Sequence, residues 1–398
     1  MAKLQKVKIG DYRAALQYLE AYWRKLTFYQ PRDRGLRIGL PNRFVAPSQD
    51  YFSGDQFYWD TYFIILGLLS NRKVKLAQGM VDNLVYFYRR FGMIPARNRF
   101  TNLVGSQPPF LTSMALEIFG ATGDKKWLKG VAAVAEAEYR SYWLGRPARR
   151  EHLVYRGLSR YCSHVATSLG VQYESGWDFT SRFGDDALYV LPVDLNACLY
   201  KYEKDFVAIN SVLGRPREKA RWARAASGRK QRMQLMWDER KGFFFDYNYA
   251  RRRRNSFWSL AGYYPLWAKL ATPEQAKLCV KNLPRFLCPG GLAATQKTGL
   301  SYPPRQWDYP NGWAPLQWIV ISGLLNYGYR KEALNIAKCW MELNTKVFER
   351  TGKFWERYDV VRRREGVSER YPIQTGFGWT NAAYVRLLAE FPELLQNP

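Results

Sequence analysis

The chain has 398 residues, 47% of them apolar and 16% aromatic, and carries a formal charge of +27. That length fits a single large barrel domain with a sizeable core, residues 1–398. The start MAKLQKVKIG lacks a signal peptide's apolar stretch and no apolar run reaches membrane-spanning length, so a cytoplasmic protein with no membrane partner is expected.

Taken in chain order, the elements are helical. In KKWLKGVAAVAEAEYRSYWL the residues Trp127, Val131, Val134, Ala135, Tyr139 and Tyr142 share one face at helical spacing. GFFFDYNY (242–249) is a short hairpin arm, one of few strand-like stretches. TPEQAKLCV opens a helix, with Thr272 as N-cap, Pro273 at the first helical position and Gln275 closing a capping box. PLQWIVISGLLNYGY is apolar nearly all round, as a buried helix is. In KEALNIAKCWMELNTKVF the residues Leu334, Ala337, Met341 and Phe348 again share a face.

Between the helices run loops of unusual content: SGDQFYWD, IPARNRF, GSQPPF, YESGWDF, QWDYPNGWAP, WERYDV and GFGWTN. All are rich in Gly, Pro, Trp, Asp and Asn, and loops on a rigid scaffold are where sites usually sit. Many helices with one family of decorated loops predict an all-α helical toroid whose loops converge at one mouth. An α-solenoid is the rival, and the lack of a clean repeat argues against it.

The chemistry is narrowed by what is scarce. Only two histidines are present, His152 and His164, and the five cysteines are scattered with no CxxC pair. No metal, cofactor or Ser-His-Asp site is expected, and free thiols fit a reducing compartment. The basic runs Arg251–Arg254 and Arg362–Arg364 come without an RNA-binding or zinc-finger pattern, so no nucleic-acid partner is expected. Acid–base work falls to carboxylates; Asp60, Asp178, Asp308 and Glu356 lie beside aromatics, and Glu369 lies two residues before Tyr371. A lone Asp beside a Trp is ordinarily a cap or turn residue. Several in aromatic loops suit glycoside hydrolysis, which needs two carboxyl groups flanking the bond.

These segments resemble the trehalases of glycoside hydrolase family 37. QWDYPNGWAP (306–315) matches that family's second signature almost letter for letter, and FYWDTYF (57–63) matches the back half of its first. SQPPF, SGWDF, ERYDV and GFGWTN follow in family order, so the resemblance runs over about residues 50–385. It implies an (α/α)6 barrel and an inverting α-glucosidase without cofactor, with Asp178 as general acid and Glu356 as general base. Trp59 and Asp60 would hold the cleaved glucose, with contacts from Gln107 and the backbone at Gly176. Glu369, just before YPIQ, would bond sugar hydroxyls. Trp307, Asp308, Trp313 and Trp379 would wall the pocket. Arg156 falls near a family arginine once a deletion is allowed.

The departures fall on the other half of the substrate. PSQDYFSGDQ has no arginine where the family has PGGRF; Gly105 stands where the family has an arginine; Ala96 replaces an asparagine, with Asn98 and Arg99 close behind. Arg97, Arg99 or Arg182 could compensate. The resemblance thus implies a sugar substrate, trehalose first, with another compact α-glucoside such as glucosylglycerate second. A non-catalytic sugar-binding protein on the same barrel is the alternative of a different class.

Overall fold

The structure, a computed structural model, describes residues 10–145, 151–163, 166–297, 305–366 and 371–395. Glu369 and His164 lie outside the described residues. In chain order the helices are α1 (Gly10–Leu26), α2 (Tyr58–Ser70), α3 (Val74–Phe91), α4 (Leu111–Thr122), α5 (Lys125–Glu138), α6 (Ser168–Ser175) and α7 (Val193–Val212). They continue with α8 (Pro216–Arg232), α9 (Tyr264–Trp267), α10 (Pro273–Lys281), α11 (Ala314–Asn326), α12 (Arg330–Thr351) and α13 (Gly378–Glu390).

Hydrophobic patterning sorts these helices into two layers. In α2 every residue from Tyr58 to Leu68 is buried, and α11 and α13 are buried on nearly all sides. Such helices belong inside. The helices α2, α4, α7, α9, α11 and α13 touch one another in that order, and α13 closes back on α2. Around this ring lie α1, α3, α5, α8, α10 and α12, with one apolar face each. On α8 only Trp222, Ala226 and Arg229 are buried. The closed double ring is the helical toroid that the decorated loops predict, in the (α/α)6 form that the resemblance implies.

The expected elements form where the pattern put them. Thr272 and Gln275 make the reciprocal capping box of α10. The face of Trp127, Val131, Val134 and Ala135 lies on α5, and Tyr139 and Tyr142 follow in a π-helical turn, Tyr139–Trp143. The 242–249 stretch serves two sheets instead of one arm. Phe243–Phe244 pairs with Trp237–Asp238, while Tyr247–Asn248 lies between Val190–Leu191 and Arg253–Arg254. Asp246 divides them, because its carboxylate accepts from Val193 N (2.9 Å) and from Arg182.

Two internal ties matter for the site. Glu138 of α5 is buried and accepts from the hydroxyls of Tyr58 on α2 and Tyr202 on α7, both at 2.9 Å. Burial raises its pKa to about 7, although these hydrogen bonds pull the other way. A three-stranded sheet also joins the 306–315 loop to the segment after Glu356, in the register Asn311↔Asp359 and Gly312↔Tyr358. Among the described residues no helix is long and apolar enough to cross a membrane.

Candidate active site

The loops that lead into α2, α4, α11 and α13, together with those after α6 and α12, surround a cavity of about 550 Å³. Nine of the residues expected at the site line it: Trp59, Asp60, Gln107, Gly176, Asp178, Trp307, Trp313, Glu356 and Trp379.

Four of these are tryptophans held rigidly. Trp307 and Trp313 stack with centroids 3.9 Å apart and planes 1° from parallel. Trp379 meets Trp313 edge-on at 5.7 Å and Trp59 at 5.9 Å. The polar ends of the rings are spoken for: Trp313 Nε1 donates to Gln306 O (3.0 Å), and Trp379 Nε1 to Glu356 O (3.1 Å). An indole tied at its N–H presents a fixed apolar face. The prolines and tryptophans of QWDYPNGWAP thus build a wall in which Trp313 also caps the start of α11. Gly176 explains itself in the same way. Its φ is +73°, and a Cβ there would lie 2.7 Å from the Trp59 ring.

The carboxylates come next. Asp60 sits in the first turn of α2 with 3% exposure. Burial pushes its pKa well above the ordinary range, and the charges of Glu356 and Asp178 add to the shift. The three carboxyl groups therefore share one electrostatic environment. Glu356 is buried as well, and burial raises its pKa. Arg357, Tyr371 and the Gln374 backbone pull it part of the way back. Its Oε2 accepts from Arg357 Nη1 (2.7 Å) and its Oε1 from the Tyr371 hydroxyl (2.6 Å). The Glu356–Arg357 pair is internal, since Arg357 is fully buried with its guanidinium 5.0 Å from the Trp313 ring centroid.

Asp178 follows the buried Trp177 on the segment after α6. The next residue, Phe179, has φ +58°, an uncommon and strained conformation for an aromatic side chain. The turn is clamped from the 306–315 loop. Trp307 N donates to Phe179 O at 3.3 Å, and Asp308 accepts from Thr180 Oγ1 (2.9 Å) and Ser181 N (3.1 Å).

Three expected site residues lie elsewhere. Asp308 is buried behind the wall, where burial raises its pKa, and it holds the turn after Asp178 without lining the cavity. Asn98 is buried outside the cavity. Its amide accepts from Gln56 N (2.7 Å) and donates to Gly54 O (3.2 Å), so its hydrogen bonds go to backbone. Arg156 sits exposed at a hairpin turn with φ +47°, over the ring of Tyr155. Of the arginines that could compensate, only Arg97 lines the cavity. Arg99 pairs with Asp55 at 3.0 Å, and Arg182 is buried between Asp194 (2.6 Å) and Asp246 (2.7 Å).

The structure also brings in residues that sequence reasoning passed over. Tyr371 is one. Glu174 is another: it lines the cavity and accepts from Tyr142 OH (2.5 Å), Cys162 N (2.5 Å) and Ser106 N (3.4 Å), with His152 Nε2 at 3.1 Å. Burial works against its ionised form, yet His152 and these donors outweigh it and lower the pKa. The signal lay in YESGWDF, where Glu174 stands four residues before Asp178. Among the described residues no group of three or more His, Cys, Asp or Glu could hold a metal ion. Burial raises the pKa values of Asp60 and Glu356, and carboxyl groups converging on one aromatic-walled cavity suit proton donation and water activation.

A family model described as "Trehalase" matches residues 3–168 and 163–392. The "Probable trehalase" of Eremothecium gossypii is 32% identical over 429 residues, covering 87% of this chain and 57% of that protein. The "Cytosolic neutral trehalase" of Emericella nidulans is 32% identical, with the same two coverages. The chain thus spans little more than half the length of the curated relatives it matches. Among solved structures, neutral trehalase Nth1 from Saccharomyces cerevisiae superposes with a TM-score of 0.79 at 32% identity, covering 89% of this chain and 75% of that one.

Proposed function

The chain belongs to the trehalase family, and from that premise we propose that its aromatic cavity hydrolyses an α-glucoside with inversion, trehalose being the first substrate to test. Residues 1–398 act as one catalytic unit in this reading, in the cytosolic setting that the relatives' names state. The observation that carries it is the convergence of Asp60, Asp178 and Glu356 on one tryptophan-walled cavity.

In the proposed reaction the cleaved glucose stacks on Trp59, and Asp60 accepts from its hydroxyls. Gln107, whose Oε1 accepts from Trp59 N at 3.3 Å, and the backbone at Gly176 fix it further. Asp178 gives its proton to the glycosidic oxygen as the bond breaks. Glu356 takes a proton from a water that attacks the anomeric carbon on the opposite face. One displacement inverts the configuration, so an α-glucoside releases β-glucose. The Arg357 and Tyr371 contacts favour the ionised Glu356 that a base requires, against the burial that opposes it. The tryptophan wall excludes water, and a low local dielectric strengthens each fixed hydrogen bond.

The test is proton NMR of trehalose with the unsubstituted protein and with Asp178→Asn. Early release of β-glucose by the first and a loss of about a hundredfold or more in the second is the expected result. Retained configuration, or equal rates in the two proteins, would overturn the assignment.

A further inference from the structure

The cavity lining changes character from floor to mouth. Asp60, Gln107, Gln306 and Glu356, at its floor, are all buried. The mouth carries Tyr51, Val104, Leu169 and Tyr173, exposed by 60%, 45%, 42% and 36%, with the exposed Thr101 and Thr167 beside them. These are four of the eight exposed large apolar side chains among the described residues, gathered on one rim. Scattered apolar residues on a surface are ordinary, whereas a cluster at a cavity mouth marks contact with something. Leu169 and Tyr173 are four apart on α6 and so share a face.

Among the described residues little charge lies on this rim. Arg97 is the one Lys or Arg among the described lining residues, and its guanidinium is already engaged with Asp55 (3.2 Å) and Asn102 (2.9 Å). At Gly105 no side chain reaches in, and a Cβ there would meet the Ser163 Cβ at 3.0 Å.

We propose that the rim formed by Tyr51, Val104, Leu169 and Tyr173 is a leaving-group subsite for an apolar aglycone, so that the enzyme favours aryl or alkyl α-glucosides over small or acidic ones. This rests on the α-glucosidase reading above. With the glucose seated at the floor, the departing group lies against the apolar area of these four side chains. Removing about 60 Å² more apolar surface from water corresponds to about a tenfold gain in affinity.

The test measures binding of methyl α-glucoside, phenyl α-glucoside and glucosylglycerate to Asp178→Asn by tryptophan fluorescence. The expected result is phenyl bound about tenfold more tightly than methyl. That ratio falls towards one when Leu169→Ser or Val104→Ser is added, each tested singly. Equal binding of phenyl and methyl glucosides, a ratio unchanged by both rim variants, or tighter binding of glucosylglycerate would overturn the subsite. Turnover by the unsubstituted protein separates the two readings. Hydrolysis without a phenyl preference removes the subsite and keeps the hydrolase. A phenyl preference in binding without turnover keeps the subsite and removes the hydrolase.

Discussion

The Tyr371 hydroxyl donates a 2.6 Å hydrogen bond to Glu356 Oε1, and the ring that carries it stacks on Tyr51 at 5.3 Å. A side chain in the wall thus helps favour the ionised form of the proposed base. In Tyr371→Phe the ring stays and the donor goes. Burial already raises the Glu356 pKa, and losing a hydrogen bond to the ionised form raises it further. The base works deprotonated, so the acidic limb of kcat/KM against pH moves to higher pH. A pH–rate profile reads this shift, and an unmoved acidic limb would count against Glu356 as the base.

Asp308 acts through the turn it holds. Asp308→Asn swaps one acceptor oxygen for a donor facing Thr180 Oγ1 and Ser181 N. The strained segment at Phe179 relaxes and Asp178 moves. We expect kcat to fall by about ten- to a hundredfold with a smaller change in KM, as for a misplaced catalytic group. Steady-state kinetics on trehalose checks it, and a change confined to KM would refute the clamp.

Gly176→Ala meets two obstacles at once, a left-handed φ and the Trp59 ring 2.7 Å away. The variant should lose about 1–3 kcal/mol of stability and bind glucose less tightly. Urea melts and glucose titration report the two effects separately.

Glu138 gives a stability signature distinct from catalysis. Its pKa is about 7 in the folded protein against an ordinary 4.5. A raised carboxyl pKa contributes stability that is fully present below 4.5 and is lost as pH rises through about 7. Glu138→Gln should flatten the stability curve across that window, by roughly 3 kcal/mol for a shift of this size. Denaturant melts between the two pH values would show the difference, and parallel curves would exclude it.

The loop motifs were legible because each packs its chemistry into adjacent letters. Trp59–Asp60, Trp177–Asp178 and Trp355–Glu356 all place an aromatic next to the carboxyl in the sequence. The helices announced themselves through spacing, as at Thr272–Gln275. What the letters could not show is which way a polar side chain faces. Asn98 looks the same whether it meets a sugar or the backbone of Gly54, 44 positions away. Asp308 sits between two wall tryptophans in the sequence, yet its partners Thr180 and Ser181 come from a segment far earlier in the chain. Arg357 reads as a surface charge beside Glu356 and is instead fully buried. Such roles depend on long-range pairing that a single sequence does not encode locally.

The closure of α13 on α2 carries a consequence for the timing of activity. The first helix of the inner ring brings Trp59 and Asp60, and the last brings Trp379, whose indole is bonded to the backbone of Glu356. Until α13 is in place the ring cannot close. A chain truncated just before Gly378 holds Asp60, Asp178 and Glu356, but in an unsealed trough open to water. Activity should accordingly appear in one step with α13 instead of growing with length.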